Sequence, residues 1–328
     1  MGKFLESEKP IQTQFKVNSG YFSKNAKEDG FLNTKYRPFC MPVEYAEENL
    51  IPEIRETALD HFSRNKIKWH NGQNGKPSNH MCDSQVCCVN FLFPFTDKPD
   101  AFGHLLKPIF PDINQMLPVE SGQYVSFEWI GEKNYLGEKI TRNGQRSRGA
   151  LFTSADAIVK FERSDKKIQI VLIEWKYTES YGHTFLKFSK SGTDRTGIYR
   201  HLFEKSACPI EKKLLPDFED LFYEPFYQFM RQQFLANEME KAHELGADIV
   251  SVLHIAPAHN KDFTKVTSKK IAGLGDSATH IWERLVKPEG RFISVSTENL
   301  FGKLSEKQFP EIKSWKDYIF ARYKWINM

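Results

Sequence analysis

Residues 157–177 read Ala157-Ile-Val-Lys-Phe-Glu-Arg163-Ser-Asp-Lys-Lys167-Ile-Gln-Ile-Val-Leu-Ile-Glu174-Trp-Lys176-Tyr177. Two β-prone runs, 151–162 and 168–177, flank a turn-forming Arg163-Ser-Asp-Lys-Lys167, which predicts a β-hairpin. Glu174 and Lys176 stand two apart on the second strand, so both point to one face of the sheet. A turn centred on Asp165 sets Asp156 opposite Glu174 on that same face. A slip of one residue would carry it to the other side. Ile170 and Leu172 share the face, and ionised carboxylates on an apolar ribbon are costly unless compensated. A divalent cation compensates them: Mg²⁺ takes carboxylate oxygens and keeps several waters. Such an ion polarises a phosphate oxygen and acidifies a bound water. Lys176 would then hold that water or stabilise charge developing on phosphoryl oxygens. Glu-x-Lys recurs at Glu211/Lys213 and Glu311/Lys313, but neither copy follows an aliphatic run or has an upstream strand carrying Asp. The competing reading of Glu174/Lys176 is a salt-bridged pair on a solvated strand.

Outward from the hairpin, Val125, Phe127 and Trp129 alternate with polar residues and predict a strand over 123–130. The first seventy-five residues are polar and Pro-punctuated, with one helix expected near 43–65. Asn71-Gly-Gln-Asn-Gly-Lys-Pro77 is a loop, after which Ser78 or Asn79 caps a helix reaching Phe93, where Pro94 stops it. A polar insertion occupies 178–222. A helix from Pro225 to Leu245 follows, with Gly246 past its end, then a buried strand over 248–256. A helix near 279–285, a strand at 292–295 and a C-terminal helix from Ser314 complete the chain. This order describes an α/β fold, a mixed central sheet flanked by helices. It divides into an N-terminal elaboration (1–77), a core (78–257) carrying the 178–222 insertion, and a C-terminal strand and helices (258–328) packed on that core.

Composition agrees: of 328 residues 40% are hydrophobic and 27% charged, and 27 phenylalanines supply a large core. No apolar run approaches the roughly 20 residues that cross a bilayer, and no apolar leader stands at the N-terminus, so a soluble, cytoplasmic protein is expected without a membrane partner. Five cysteines without framework spacing point to a reducing compartment. Cys82, Cys87 and Cys88 with His80 lack a CxxC pair and read as core thiols rather than a zinc site. Net charge is only +4, yet it is unevenly spread. One basic segment holds Lys133, Lys139, Arg142, Arg146 and Arg148; another holds Lys187, Lys190, Arg195, Arg200, His201 and Lys205. Both flank the charged hairpin. Arg142, Arg146, Arg148, Lys187, Lys190 and Arg195 are therefore candidates for phosphate contacts that do not read sequence. Tyr181, Phe185, Phe188 and Tyr199 either stack on bases or pin the insertion to the core.

Ser154-Ala-Asp156, a hairpin, then Ile173-Glu174-Trp-Lys176 resembles the signature of the PD-(D/E)XK, restriction-endonuclease-like nuclease superfamily, with Ala155 where the motif's name has Pro. The resemblance covers roughly residues 78–257. Asp83-Ser84-Gln85…Asn90 and Tyr227-Gln228-Phe-Met-Arg231 bring it nearest a bacterial branch. It implies an αβββαβ core, Mg²⁺ (or Mn²⁺), and hydrolysis of phosphodiester bonds, as an endonuclease rather than an exonuclease. It further implies that Asp156, Glu174 and the main-chain carbonyl of Trp175 hold the metal, with Lys176 as catalytic cation. Glu128 is a candidate additional acid, Gln85 could contribute an amide, and Gln228 and Arg231 share a helix face that orders the site in some branches. His254 reads as a core histidine. The leading expectation is a nuclease acting on DNA, as a homodimer if both strands of a duplex are cut; RNA stays open. The alternative is a nucleic-acid-binding or regulatory module on the same fold without turnover. No phosphate-binding Gly-x-x-x-x-Gly-Lys-Ser/Thr loop and no Gly-x-Ser-x-Gly elbow is present.

Overall fold

The computed structural model describes residues 2–138, 146–149 and 152–327. Helix α1 (Lys3–Asn18) leads to a small hairpin, β1 (Gly30–Leu32) and β2 (Lys35–Arg37), and then to α2 (Arg55–Arg64), α3 (Ser84–Leu92) and α4 (Pro99–Leu106). Strands β3 (Ile113–Leu117), β4 (Val125–Trp129), β5 (Ala155–Arg163) and β6 (Ile168–Trp175) follow. Helices α5 (Thr196–Glu204) and α6 (Phe226–Lys241) precede β7 (Ile249–Ala256). Then come α7 (Ala278–Leu285), β8 (Phe292–Ser296), α8 (Thr297–Phe301) and α9 (Lys313–Arg322). Among the described residues no helix is long and apolar enough to cross a membrane.

The sheet is mixed, in the order β3-β5-β6-β7-β8, with β4 also paired to β5. The β5–β6 hairpin takes the expected register, Ala157 facing Ile173 and Glu162 facing Ile168. β3 and β4 share one side of β5, β3 on residues 160–163 and β4 on residues 155–159. β6, β7 and β8 run parallel, which requires the helical crossovers that α6 and α7 provide. Both faces are covered, which is why β6 reads as a continuous aliphatic run. Val171, Ile173 and Trp175 pack with α3, α4 and the two terminal segments, while Ile158, Ile170 and Leu172 pack under α6 and α7.

Several expectations need correction. The polar N-terminal stretch contains the 16-residue α1, whose inward stripe is Phe4, Glu8, Gln12, Phe15 and Lys16. Three of those five are polar, so no apolar period announces the helix. The helix expected over 43–65 is broken into 3₁₀ turns at Val43–Asn49 and Pro52–Ile54 before α2, because Pro52 has no N–H to continue a helical ladder. α3 starts later than Ser78: Asp83 is its cap and accepts the Val86 N–H at 3.0 Å. α6 ends at Lys241 rather than Leu245, where His243 and Leu245 turn left-handed. The insertion is not all loop, since it contains α5. All five cysteines are buried and free.

Candidate active site

Strand register assembles the site before any side chain is considered. Phe127 and Trp129 pair with Ala157 and Ala155, which brackets Glu128 opposite Asp156. The β5–β6 register continues to Glu174, the parallel β6–β7 register sets Glu174 beside His254, and His254 beside Ser294. One transverse row thus runs Glu128, Asp156, Glu174, His254, Ser294 through a sheet whose buried positions are mostly apolar. Glu128 departs from strand geometry, with φ of 50°. The strict alternation read over 123–130 fails there: Phe127 enters the core on one face and Trp129 the core on the other. A left-handed non-glycine residue is strained, and such residues persist where surrounding contacts hold them.

Those contacts are specific. Glu128 is 1% exposed and accepts Gln85 Nε2 at 2.7 Å and Ser154 Oγ at 2.9 Å. The Gln85 amide also receives the His70 N–H at 2.7 Å, and the His70 ring lies 3.6 Å from Glu128. Gln85 and Glu128 therefore act as one clamp between α3 and β4, and the loop at 70–77 brings His70 to it. Burial, then His70, then the nearby Asp156 set the Glu128 carboxyl, and burial prevails, raising it to about 7. The sign for stability follows. The unfolded chain loses this proton near 4.5 and the folded one near 7, so the folded state is favoured at low pH and loses stability as pH rises through that window. Glu128→Gln keeps the hydrogen-bonding shape without the charge. Its stability relative to wild type should rise between pH 4.5 and 7 by on the order of 3 kcal/mol, read as the difference in Tm at each pH.

Asp156 accepts the Trp175 N–H on Oδ2 at 2.7 Å, and among the described residues its Oδ1 has no hydrogen-bond partner. It lines a cleft of about 110 Å³ with His70, Thr153, Ser154, Gln228, Arg231 and Gln232. Glu174 is buried; one oxygen takes the ammonium of Lys176 and the other the amide of Gln232. Burial first and Asp156 second push the Glu174 carboxyl up, and burial raises Asp156 against the opposing pull of Lys176. Lys176 is only 4% exposed. Burial opposes its charge, but Glu174 above all holds it protonated. Trp175 offers this row only its main chain, because its indole packs away on Phe91 and Phe301.

The structure sorts the remaining candidates. Gln228 and Arg231 do face the cleft, Gln228 accepting Tyr181 OH at 3.2 Å and Arg231 donating to Thr153 at 2.8 Å. The residue that touches Glu174 is their neighbour Gln232, which the sequence reading missed, although positions 228, 231 and 232 share one helix face. His70, just before the Asn71–Pro77 loop, was likewise not among the candidates. His254 is fully buried and bonds Ser294 Oγ at 3.0 Å, but its Nε2 lacks a partner, so it is satisfied at one nitrogen only. Burial lowers its pKa to about 3. Arg148 is a brace and not a free donor: it holds Glu120 through both carboxylate oxygens at 3.0 Å, Ser126 at 2.7 Å, and the Phe127 carbonyl. Arg146 is tied to the carbonyls of Ile130 and Gly131. Arg195 donates to Leu186 O at 2.8 Å, and Lys187 pairs with Glu219 at 2.6 Å. Lys190 is exposed on the insertion. Arg142 lies outside the described residues.

Among the described residues no three His, Cys, Asp or Glu side chains enclose a metal by themselves. Mg²⁺ does not need such a cage, since one or two carboxylates and water suffice. The Asp156 oxygen open to the cleft and the lone pairs left on Glu174 are hard donors of the fitting kind.

A family model described as restriction endonuclease associating with ARP, REase-ARP, matches residues 12–324. The chain belongs to the REase-ARP family. The match runs from α1 to beyond the end of α9, so the REase-ARP unit includes both terminal segments as well as the sheet. A search of curated proteins and a search of solved structures returned no match.

Proposed function

We propose that this REase-ARP protein is a PD-(D/E)XK nuclease that hydrolyses phosphodiester bonds, of DNA foremost, with Mg²⁺ or Mn²⁺ held by Asp156, Glu174 and the Trp175 carbonyl. One observation carries the reading: two acids face each other across β5 and β6, Asp156 lining a polar cleft and Glu174 buried behind it with a buried lysine on it. The bound metal supplies a polarised phosphoryl oxygen and a water of lowered pKa. The Trp175 N–H orients Asp156 so that one oxygen stays open to the cleft. Gln232 and Lys176 fix Glu174 from both sides. Lys176 keeps a protonated ammonium where charge develops on the phosphoryl group, in surroundings that screen it little. Gln228 and Arg231 line the cleft where the substrate backbone would lie, and Lys190, exposed on the insertion, would meet phosphates without reading sequence.

The test is cleavage of plasmid and labelled oligonucleotides in Mg²⁺, Mn²⁺ and EDTA. Cutting in either metal that EDTA stops is the expected result; cutting that persists in EDTA, or in Asp156→Ala, Glu174→Ala and Lys176→Ala alike, would defeat the assignment. A second reading, a binding module without turnover, draws on the fact that both Glu174 oxygens already have donors. Calorimetric Mg²⁺ titration separates the two, because the module would bind DNA without carboxylate-dependent metal uptake.

A further inference from the structure

A second cavity, of about 500 Å³, opens where the 178–222 insertion meets the segment after β7. Its walls include Phe185, Asp220, Tyr223, Ser268 and Lys270. Phe185 stacks on Tyr223 with ring centroids 4.9 Å apart and is 42% exposed, so the pair presents a held aromatic face. A bridge between Phe185 and Tyr223, and the Leu186 N–H on Phe222 O at 2.7 Å, fix that pair to the backbone. Asp220 is 5% exposed and Ser268 1%, yet among the described residues Asp220 Oδ2 and Ser268 Oγ both lack hydrogen-bond partners. The Lys270 ammonium stands 3.7 Å from the other Asp220 oxygen on a side chain that is 66% exposed and free to swing.

Orphaned buried acceptors beside an aromatic platform and a lysine form a specific pattern of demands. The ligand must be flat, must offer adjacent N–H donors to a carboxylate, and must offer an acceptor to an ammonium next to it. Among the nucleobases only guanine carries two parallel donors, N1–H and N2–H, with the O6 acceptor on the same edge. Adenine and cytosine present one amino group there, and thymine flanks its single N–H with carbonyls that the carboxylate repels. We propose that this cavity is a guanine-binding subsite: the base stacks on Phe185, its amino–imino edge meets Asp220, and its O6 meets Lys270, as unstacked bases are read elsewhere by stacking and edge hydrogen bonds.

The subsite rests on the reading of nucleic acid as substrate. Tyr223 and the cleft residue Gln228 are five residues apart, so they lie within about 18 Å even for an extended chain. A distance of that size is spanned by a few nucleotides.

The test uses the full chain in EDTA and measures binding, not cutting, of fluorescent oligothymidylates carrying one deoxyguanosine, one deoxyinosine or neither. The guanine oligonucleotide should bind about tenfold more tightly than the inosine one, which lacks the N2 amino group, and than oligothymidylate. Asp220→Ala should bring all three together, and Ser268→Ala should narrow the gap. Equal affinity of wild type for the three, or a guanine preference kept in Asp220→Ala, overturns the subsite while leaving metal-dependent cleavage intact. Failure of every oligonucleotide to bind also overturns the subsite, and metal-dependent cleavage of plasmid then decides the nuclease reading separately. The inosine comparison changes only the ligand, so a misfolded variant cannot imitate its result.

Discussion

Asp156→Ala should remove metal-dependent cleavage, with a fall on the order of 10²–10³ or more in rate, and should leave the protein as stable as wild type or slightly more so. Both halves follow from the same surroundings. Asp156 and Glu174 face each other in a buried row, and burial makes the ionised form of each unfavourable. Deleting one acid relieves that repulsion at the expense of the Trp175 N–H bond, worth about 1 kcal/mol. Lys176→Met should lower the rate comparably but behave differently on unfolding. It strips Glu174 of the one cationic partner it has among the described residues, and an orphaned buried charge costs about 3–5 kcal/mol. Glu174 escapes that penalty by taking up a proton, so the loss of stability should shrink as pH falls. Urea unfolding of the two variants at pH 5 and pH 8, beside cleavage assays, checks the pair; equal stability loss for both would contradict the placement of these groups.

Arg322→Leu should destabilise the fold by about 4 kcal/mol or more, without touching the cleft. Arg322 is fully buried at the end of α9. Its guanidinium reaches Gln12 Oε1 at 3.0 Å, the Asn49 carbonyl and side chain at 2.6 Å each, Tyr318 OH at 2.9 Å and Met81 O at 2.9 Å. One side chain therefore ties α1, the turn before α2 and the approach to α3 to the C-terminus. Its removal leaves several buried acceptors unpaired at about 1–3 kcal/mol each, a large share of an ordinary 5–15 kcal/mol. Arg322→Lys should not rescue it, because an ammonium lacks the planar fork of five donors. A loss below about 1 kcal/mol in the unfolding free energy from urea titration would show that these bonds are replaceable by water.

Much of the sheet was readable in advance. The β5–β6 hairpin, β7, α6, α7 and β8 all announce themselves through aliphatic runs, turn residues and Pro or Gly at their ends. Helix α4 and strand β3 also went unread although they bury Phe102, Leu105, Ile113 and Met116, because they are only eight and five residues long; α1 escaped because its inward residues are polar. α1 buries Glu8, Gln12 and Lys16, and these are satisfied by Tyr177, Arg322 and the carbonyls of Glu28 and Cys40. A pattern of hydrophobicity cannot reveal a face that is solvated by the protein's own polar groups.

The same division holds at the site. That Asp156 opposes Glu174, with Lys176 on the same side, was expected from residue order given a turn centred on Asp165, because side chains alternate with a period of two; the observed register, with Ala157 facing Ile173, then fixed it. Which glutamine reaches Glu174, why Arg148 is occupied with Glu120, and how Glu128 is turned toward Gln85 were decided only when distant segments packed. Those outcomes depend on partners 28 to 58 positions away along the chain, and the energy of a polar side chain is set by which donor or acceptor arrives there, a fact that no local spacing encodes.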